Sequence, residues 1–233
     1  MYFDWTYVVL VLPCVIFSLI ASSSVNRTFK KYSQQFSRRG ITGAQAAERV
    51  LRANGVSGVQ ITRVAGNLTD HFDPTSNVIR LSDSVYGSTS TAAIGVACHE
   101  AGHAVQYATN YGPIKLRAAI IPATNIGSKL AMPLILIGLL LSAFETVSYG
   151  FVYLGIACFG LSLLFQLITL PVEFNASRRA IRAIEDGELL TEDEQRGARK
   201  TLTAAAMTYV AATAVALAQL LRLVLVFGRR RND

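Results

Sequence analysis

The sequence offers no disulfide framework and no CxxC clip. Of its three cysteines, Cys14 and Cys158 lie inside apolar runs and Cys98 sits within a histidine motif, so all three read as reduced thiols behaving as small hydrophobes. Acidic residues are also few, 15 against 22 Lys and Arg, giving a net charge of +7. A basic excess can signal nucleic acid. Here the basic residues cluster beside apolar segments and do not interleave with aromatics across a polar face, so no nucleic-acid partner is expected. The chain has no internal repeat and no low-complexity segment. Histidine is scarce too, with three in 233 residues, and two of them fall within five positions of each other.

Apolar residues are what the chain has in abundance. Hydrophobic residues make up 52% and charged residues 16%, with a mean hydropathy of +0.38. This composition points to a membrane protein. The expected fold class is a mainly α membrane protein, with transmembrane helices plus a small α+β cytoplasmic domain carrying a short β hairpin.

The first apolar run, Trp5 to Ile20 with a small-residue tail to Ser24, follows Asp4 and precedes Arg27, Lys30, Lys31, Arg38 and Arg39. A cleaved signal peptide carries its positive charges in front, so residues 1–26 read as a retained anchor. Lys and Arg stay on the cytoplasmic side, which sets the N-terminus outside and the following segment inside. The same basic residues can also touch anionic lipid. Residues 27–117 hold the only stretch of soluble character. Thr42 to Gln45 forms a capping box for a helix that stops at Asn54-Gly55. The β-prone runs 59–64 and 77–82, joined through the turn residues Asp73-Pro74-Thr75-Ser76-Asn77, predict a small hairpin. The cluster Ser88-Thr89-Ser90-Thr91 supplies N-cap candidates for a helix carrying "VACHEAGHAV", which ends near Asn110-Tyr111-Gly112-Pro113.

Residues 118–172 read as a transmembrane helical hairpin, whose first arm contains Pro122, Lys129 and Pro133, so its span proper is expected to begin near Ala131 behind a kinked or interfacial lead-in. Residues 173–201 read as a cytoplasmic helix, basic at both ends. The apolar run within 202–233 either spans the bilayer or lies at its interface, because it contains Gln219 and Arg222 and ends in three arginines. Together these segments predict a multi-pass membrane protein with residues 27–117 facing the cytoplasm.

His99 and His103 lie four apart, so on a helix they stand about 40° apart on one face, where both imidazoles can meet one ion. Glu100 flanks that ion and can serve as general base toward a water. Gly102, inside this helix, points either to the close approach of another backbone or a ligand or to simple helix packing. A hydrolytic zinc site needs a third protein ligand, either a carboxylate or His71. The metzincin pattern fails, because Thr109 stands six residues beyond His103. Glu145 lies in the outer turn of the hairpin, and the acids of 185–194 form a solvated charge run. Glu173, in "LPVEFNASRRA", follows the apolar segment at the depth expected for the motif helix; its alternative role is an acid near a helix N-terminus.

Ser177, one turn later, is either a hydrogen-bond partner of a liganding histidine or a solvent-facing serine. His71, in "NLTDHFDP", either stabilises a reaction oxyanion or completes a turn. Tyr209 either donates to that oxyanion or packs between helices.

"HEAGH" followed by two apolar spans and then "EFNAS" resembles the YugP-type membrane zinc metallopeptidases of bacteria. The likeness extends over nearly the whole chain, including the leading anchor, "DHFDP" and the arginine-rich end. More distantly the chain is similar to HtpX-type and CAAX-prenyl-type membrane proteases. The resemblance implies zinc held by His99, His103 and Glu173, with Glu100 as base; those relatives carry Glu-x-x-x-Asp where this chain ends in Ser177. The resulting expectation is a membrane-anchored gluzincin that hydrolyses protein or peptide substrates, an extended substrate pairing with the edge of the hairpin near His71. Intramembrane cleavage of the site-2 type fits poorly, since "STST" and "QYATNYG" border the motif helix and no Leu-Asp-Gly partner motif is present. The alternative is a non-catalytic membrane scaffold stabilised by zinc.

Overall fold

The computed structural model describes residues 5–141 and 143–229. A short π-helical stretch at Tyr7–Val11 leads into α1 (Leu12–Tyr32), followed by α2 (Gly43–Ala53), β1 (Gln60–Val64), β2 (His71–Asp73), β3 (Val78–Ser82), α3 (Asp83–Tyr86), α4 (Thr91–Ala108), α5 (Gly112–Leu140), α6 (Glu145–Asp186) and α7 (Glu192–Arg229). Helix ends follow local capping chemistry. Thr42 Oγ1 accepts from the Gln45 backbone N–H at 3.2 Å while the Gln45 side chain accepts from the Thr42 N–H at 2.9 Å, so two orphan donors of α2 are satisfied reciprocally. At its other end Gly55 takes φ +66°, a left-handed value that costs glycine little.

The chain divides into two compact units. One comprises the described residues of 1–20, 116–170 and 209–233 and contains apolar helix almost exclusively. Its buried cluster is Ile135, Val152, Ile156, Leu223 and Phe227. Many large apolar side chains of the same helices point outward, among them Trp5, Leu19, Ile126, Leu140 and Leu154, a surface suited to lipid and costly in water. Backbones meet closely: a Cβ on Gly155 would stand 2.7 Å from Ala131 O, and Ser148 Oγ donates to Gly138 O at 2.7 Å. Small residues at such crossings are how helices pack in a bilayer. The guanidinium of Arg222 lies over the Tyr7 ring, 5.4 Å from its centroid, which gives the charge in the last apolar helix an aromatic partner. Among the described residues four helices are long and apolar enough to cross a membrane: Tyr7–Tyr32, Gly112–Leu140, Thr146–Asp186 and Glu192–Gly228.

The other unit comprises residues 21–115 and 171–208. Its core gathers Ile79 and Leu81 of β3, Val85 of α3, Ile94 of α4, Ile184 of α6, and Leu189 and Leu190 of the turn before α7. The sheet differs from the hairpin expected between 59–64 and 77–82. Those two strands pair in parallel, Gln60 opposite Val78 through Val64 opposite Ser82, and the antiparallel partner of β3 is β2. The order is β1-β3-β2. The turn at Asp73 to Asn77 is a hairpin turn as its composition indicates, but it joins β3 to a strand of only three residues. β3, buried at every position but Arg80 and flanked on both sides, takes the centre of the sheet.

α5 runs from Gly112 through both Pro122 and Pro133 to Leu140 as one helix. A further difference concerns the next long helices. Residues 173–201 are not a helix of their own: α6 continues through Pro171 to Asp186, and Glu192 opens α7.

Candidate metal centre

α4 brings the motif into the core. Ser90 caps it by accepting from the Ala93 N–H at 3.2 Å, and the small residues Ala92, Ala93, Ala97, Ala101 and Ala104 along it are buried. Smallness has a purpose at Gly102, where a Cβ would stand 2.9 Å from the carbonyl oxygen of Ala176. Glycine therefore lets the backbones of α4 and α6 meet, as the sequence reading of this residue allowed, and the approaching group is a helix backbone.

At that crossing the rings of His99 and His103 stand edge to face, their centroids 4.7 Å apart at 84°. Glu173 of α6 reaches both. Its Oε2 lies 3.2 Å from His99 Nε2 and 3.6 Å from His103 Nε2. One donor atom from each of the three residues falls within 4.8 Å of the others. Glu173 is 3% exposed, and a carboxylate is buried this deeply only where it is paired or liganding.

The remaining ring nitrogens are both engaged. Ser177 Oγ lies 3.1 Å from His99 Nδ1. Gln106 Oε1 lies 3.0 Å from His103 Nδ1, and the Gln106 amide nitrogen donates to Val172 O at 2.8 Å and to Asn175 Oδ1 at 2.9 Å. The carbonyl of Val172 can only accept, so the orientation of the Gln106 amide is determined and its oxygen must face the ring. His103 Nδ1 therefore carries the hydrogen and Nε2 is left with a lone pair aimed at Glu173. Asn175 is oriented in turn by Arg179, whose Nε donates to the same Oδ1 at 2.8 Å. Sequence reasoning missed Gln106 and Asn175. The available signal was a polar side chain three residues after His103 in an otherwise apolar turn, on the face the histidine occupies.

Glu100 is buried on α4. Burial pushes its carboxyl up to about 7, opposed by the His99 ring and reinforced by the carboxylates of Glu173 and Asp70, while the Phe72 backbone N–H donates to it. Asp70, just ahead of β2, accepts from Ser82 N at 2.7 Å and Ser82 Oγ at 3.0 Å; burial raises its carboxyl and those bonds oppose the rise. Thus β2 is fastened between β3 and the motif helix. His71 opens β2 with its side chain exposed and its Nδ1 2.8 Å from Thr69 O, outside the three-residue cluster. Tyr209, on α7, belongs to the apolar unit.

Two imidazole nitrogens and one carboxylate, with the spare imidazole nitrogens hydrogen-bonded, make the donor set of a catalytic zinc site, which takes three protein ligands and keeps one position open. The site thus fits zinc. Among the described residues the same chain carries four helices long and apolar enough to cross a membrane. The chain belongs to the family described as "Putative neutral zinc metallopeptidase", whose sequence profile matches residues 7–228. It is 43% identical over 227 residues to the protein named "Putative membrane protease YugP" of Bacillus subtilis (strain 168), covering 97% of this chain and 99% of that one. No solved structure matches it. Zinc is the metal this family implies.

Proposed function

We propose that the chain is a membrane-anchored zinc endopeptidase of the gluzincin kind, with a zincin-like domain on the cytoplasmic face and peptide bonds of proteins or peptides as its substrate. The observation that carries this is the convergence of Glu173 on His99 and His103 across 74 residues of sequence. His99, His103 and Glu173 hold the ion. When bound, zinc supplies Lewis acidity, which polarises a carbonyl and acidifies a water. Glu100, adjacent to a ligand yet not among the three, takes the proton of the attacking water and hands it to the departing amine nitrogen. Ser177 and Gln106 keep the two rings oriented by accepting from their Nδ1 hydrogens.

His71, on the sheet edge, donates to the developing oxyanion. An extended substrate runs beside β2, where main-chain pairing sets its register. The apolar helices cross the bilayer with the N-terminus outside, and the cations from Arg27 to Arg39 stay at the cytoplasmic surface, in line with the usual bias of Lys and Arg.

The test uses purified protein of known zinc content, incubated with casein. Glu100→Gln keeps its zinc and loses turnover on the order of a hundredfold or more, whereas Glu173→Ala loses zinc. Equal turnover in wild type and Glu100→Gln rejects the protease reading. A scaffold held by zinc would be indifferent to Glu100→Gln and would lose only stability in Glu173→Ala.

A further inference from the structure

Within the unit of residues 21–115 and 171–208, the facing surfaces of α6 and α7 enclose a groove of about 490 Å³, in the range of roughly 300–1,000 Å³ usual for ligand pockets. Its two ends differ in chemistry. At one end stand Phe174 and Met207, large apolar side chains that are 41% and 38% exposed. Phe174 follows Leu170, the last α6 residue of the apolar unit, by four positions, and Met207 precedes Tyr209, the first α7 residue of that unit, by two. At the other end stand Arg178, Arg182 and Arg199 against one acid, Glu185. Arg199 is ion-paired with Glu185. Among the described residues Arg178 and Arg182 have no hydrogen-bond or ion-pair partner, and both are exposed.

We propose that this groove holds one anionic phospholipid of the adjoining leaflet, with its phosphodiester on Arg178 and Arg182 and the start of its acyl chains over Phe174 and Met207. This rests on the membrane reading above and not on the peptidase chemistry. α6 continues from its apolar run through Pro171 to Asp186 as one helix, so the groove opens one turn past that run. Phe174 to Arg178 is four residues, a rise of about 6 Å, and the headgroup layer of a leaflet is about 5–8 Å thick. An apolar contact at the edge of the hydrocarbon therefore puts Arg178 level with the phosphates. Arg182 lies one turn further out, but side chains on a helix lean toward its N-terminus. For α6 that is the membrane end, and a long arginine stem extends the reach. α7 runs the opposite way, so the same lean carries Arg199 away from the apolar end, toward Glu185. Two unpaired guanidiniums offer bidentate, charge-assisted hydrogen bonds to a phosphodiester, while the acyl chains cover apolar surface that is costly to leave in water. A small soluble anion would occupy the arginines and leave the apolar end bare, whereas a phospholipid accounts for both ends.

The experiment places one tryptophan in the groove. Zinc-loaded, full-length Phe174→Trp protein, in which Trp5, the only tryptophan of the chain, is replaced by Phe, is reconstituted into phosphatidylcholine vesicles. The vesicles carry a minor fraction of lipid with brominated chains, which quench tryptophan on contact. Brominated phosphatidylglycerol is expected to occupy the groove at least about tenfold more favourably than brominated phosphatidylcholine. Adding Arg178→Ala and Arg182→Ala should bring the two quenching curves together, while Arg52→Ala with Arg63→Ala, which removes as many charges from α2 and β1, should preserve the difference. Equal quenching by the two lipids in the parent overturns the proposal. So does a preference that survives the loss of Arg178 and Arg182, or one that the control pair abolishes equally, which would make it a diffuse surface attraction. Loss of the phosphatidylglycerol advantage in excess glycerol phosphate would make the groove a site for small soluble anions and also overturn the lipid. Protein that does not float with the vesicles rejects the membrane reading and the groove proposal together; protein that floats and shows equal quenching rejects the groove alone.

Discussion

The side-chain oxygen of Gln106 faces His103 Nδ1 at 3.0 Å because the amide nitrogen at the other corner is held by the Val172 carbonyl at 2.8 Å. A buried backbone acceptor on α6 thereby decides the tautomer of a ring on α4. Replacing Gln106 by Leu leaves His103 Nδ1, Val172 O and part of Asn175 without partners in a dry environment. Zinc affinity, read by competition with a chromogenic chelator, should fall roughly tenfold to a hundredfold. An unchanged dissociation constant would show that the ring needs no such support.

Ser177 supports the other ring through a single neutral contact of 3.1 Å. Ser177→Ala should weaken zinc by roughly tenfold at most, at the low end for groups that orient a ligand. Ser177→Asp should tighten it, since a carboxylate accepts the imidazole hydrogen more strongly. Chelator competition on both variants checks the order Asp, Ser, Ala, and any other order refutes the contact.

Gly102 is where α4 and α6 touch, with no room for a methyl group against Ala176 O. Gly102→Ala must push the helices apart, and overpacking of this kind costs about 1–3 kcal/mol. Because Glu173 rides on the displaced helix, zinc affinity should fall together with thermal stability. Gly160→Ala, where a Cβ meets nothing within 4 Å, is the matched control: it should leave zinc affinity unchanged and hold or slightly raise thermal stability.

Asp73 carries the pH dependence of the hairpin. The Ser76 hydroxyl, the Arg80 guanidinium and the Thr75 N–H hold its carboxyl well below the usual carboxylate range. A value lowered on folding contributes stability that is present above the unfolded value of about 3.9 and is lost as pH falls through the folded one. The difference in Tm between wild type and Asp73→Asn should therefore stay constant from about pH 8 to about pH 5 and shrink below about pH 4. A difference that persists unchanged into stronger acid would remove Asp73 from the account.

Local chemistry made much of this protein readable. The capping residues Thr42, Gln45 and Ser90 act within three positions of their partners, so the starts of α2 and α4 were legible. The stop at Gly55 was legible for the same reason. The pairing of β3 was not, because β2 is three residues long and strand partnership is settled by which surface each strand buries. Gln106 escaped notice because a glutamine in a helix ordinarily faces water; only the arrival of Val172 and Asn175 from 66 and 69 residues away makes it a buried link.

By itself the sequence determined the apolar runs, their helical length, the caps and the spacing that sets two imidazoles on one helical face, since each of these depends on residues within a turn or two. The tertiary structure alone decided that Glu173 is the acid meeting both rings, that α4 and α6 touch at Gly102, and that the Gln106 amide faces His103 with its oxygen. Those are contacts between segments far apart in the chain, and the free energy that selects them comes from packing and from satisfying buried polar groups, neither of which exists until the helices meet.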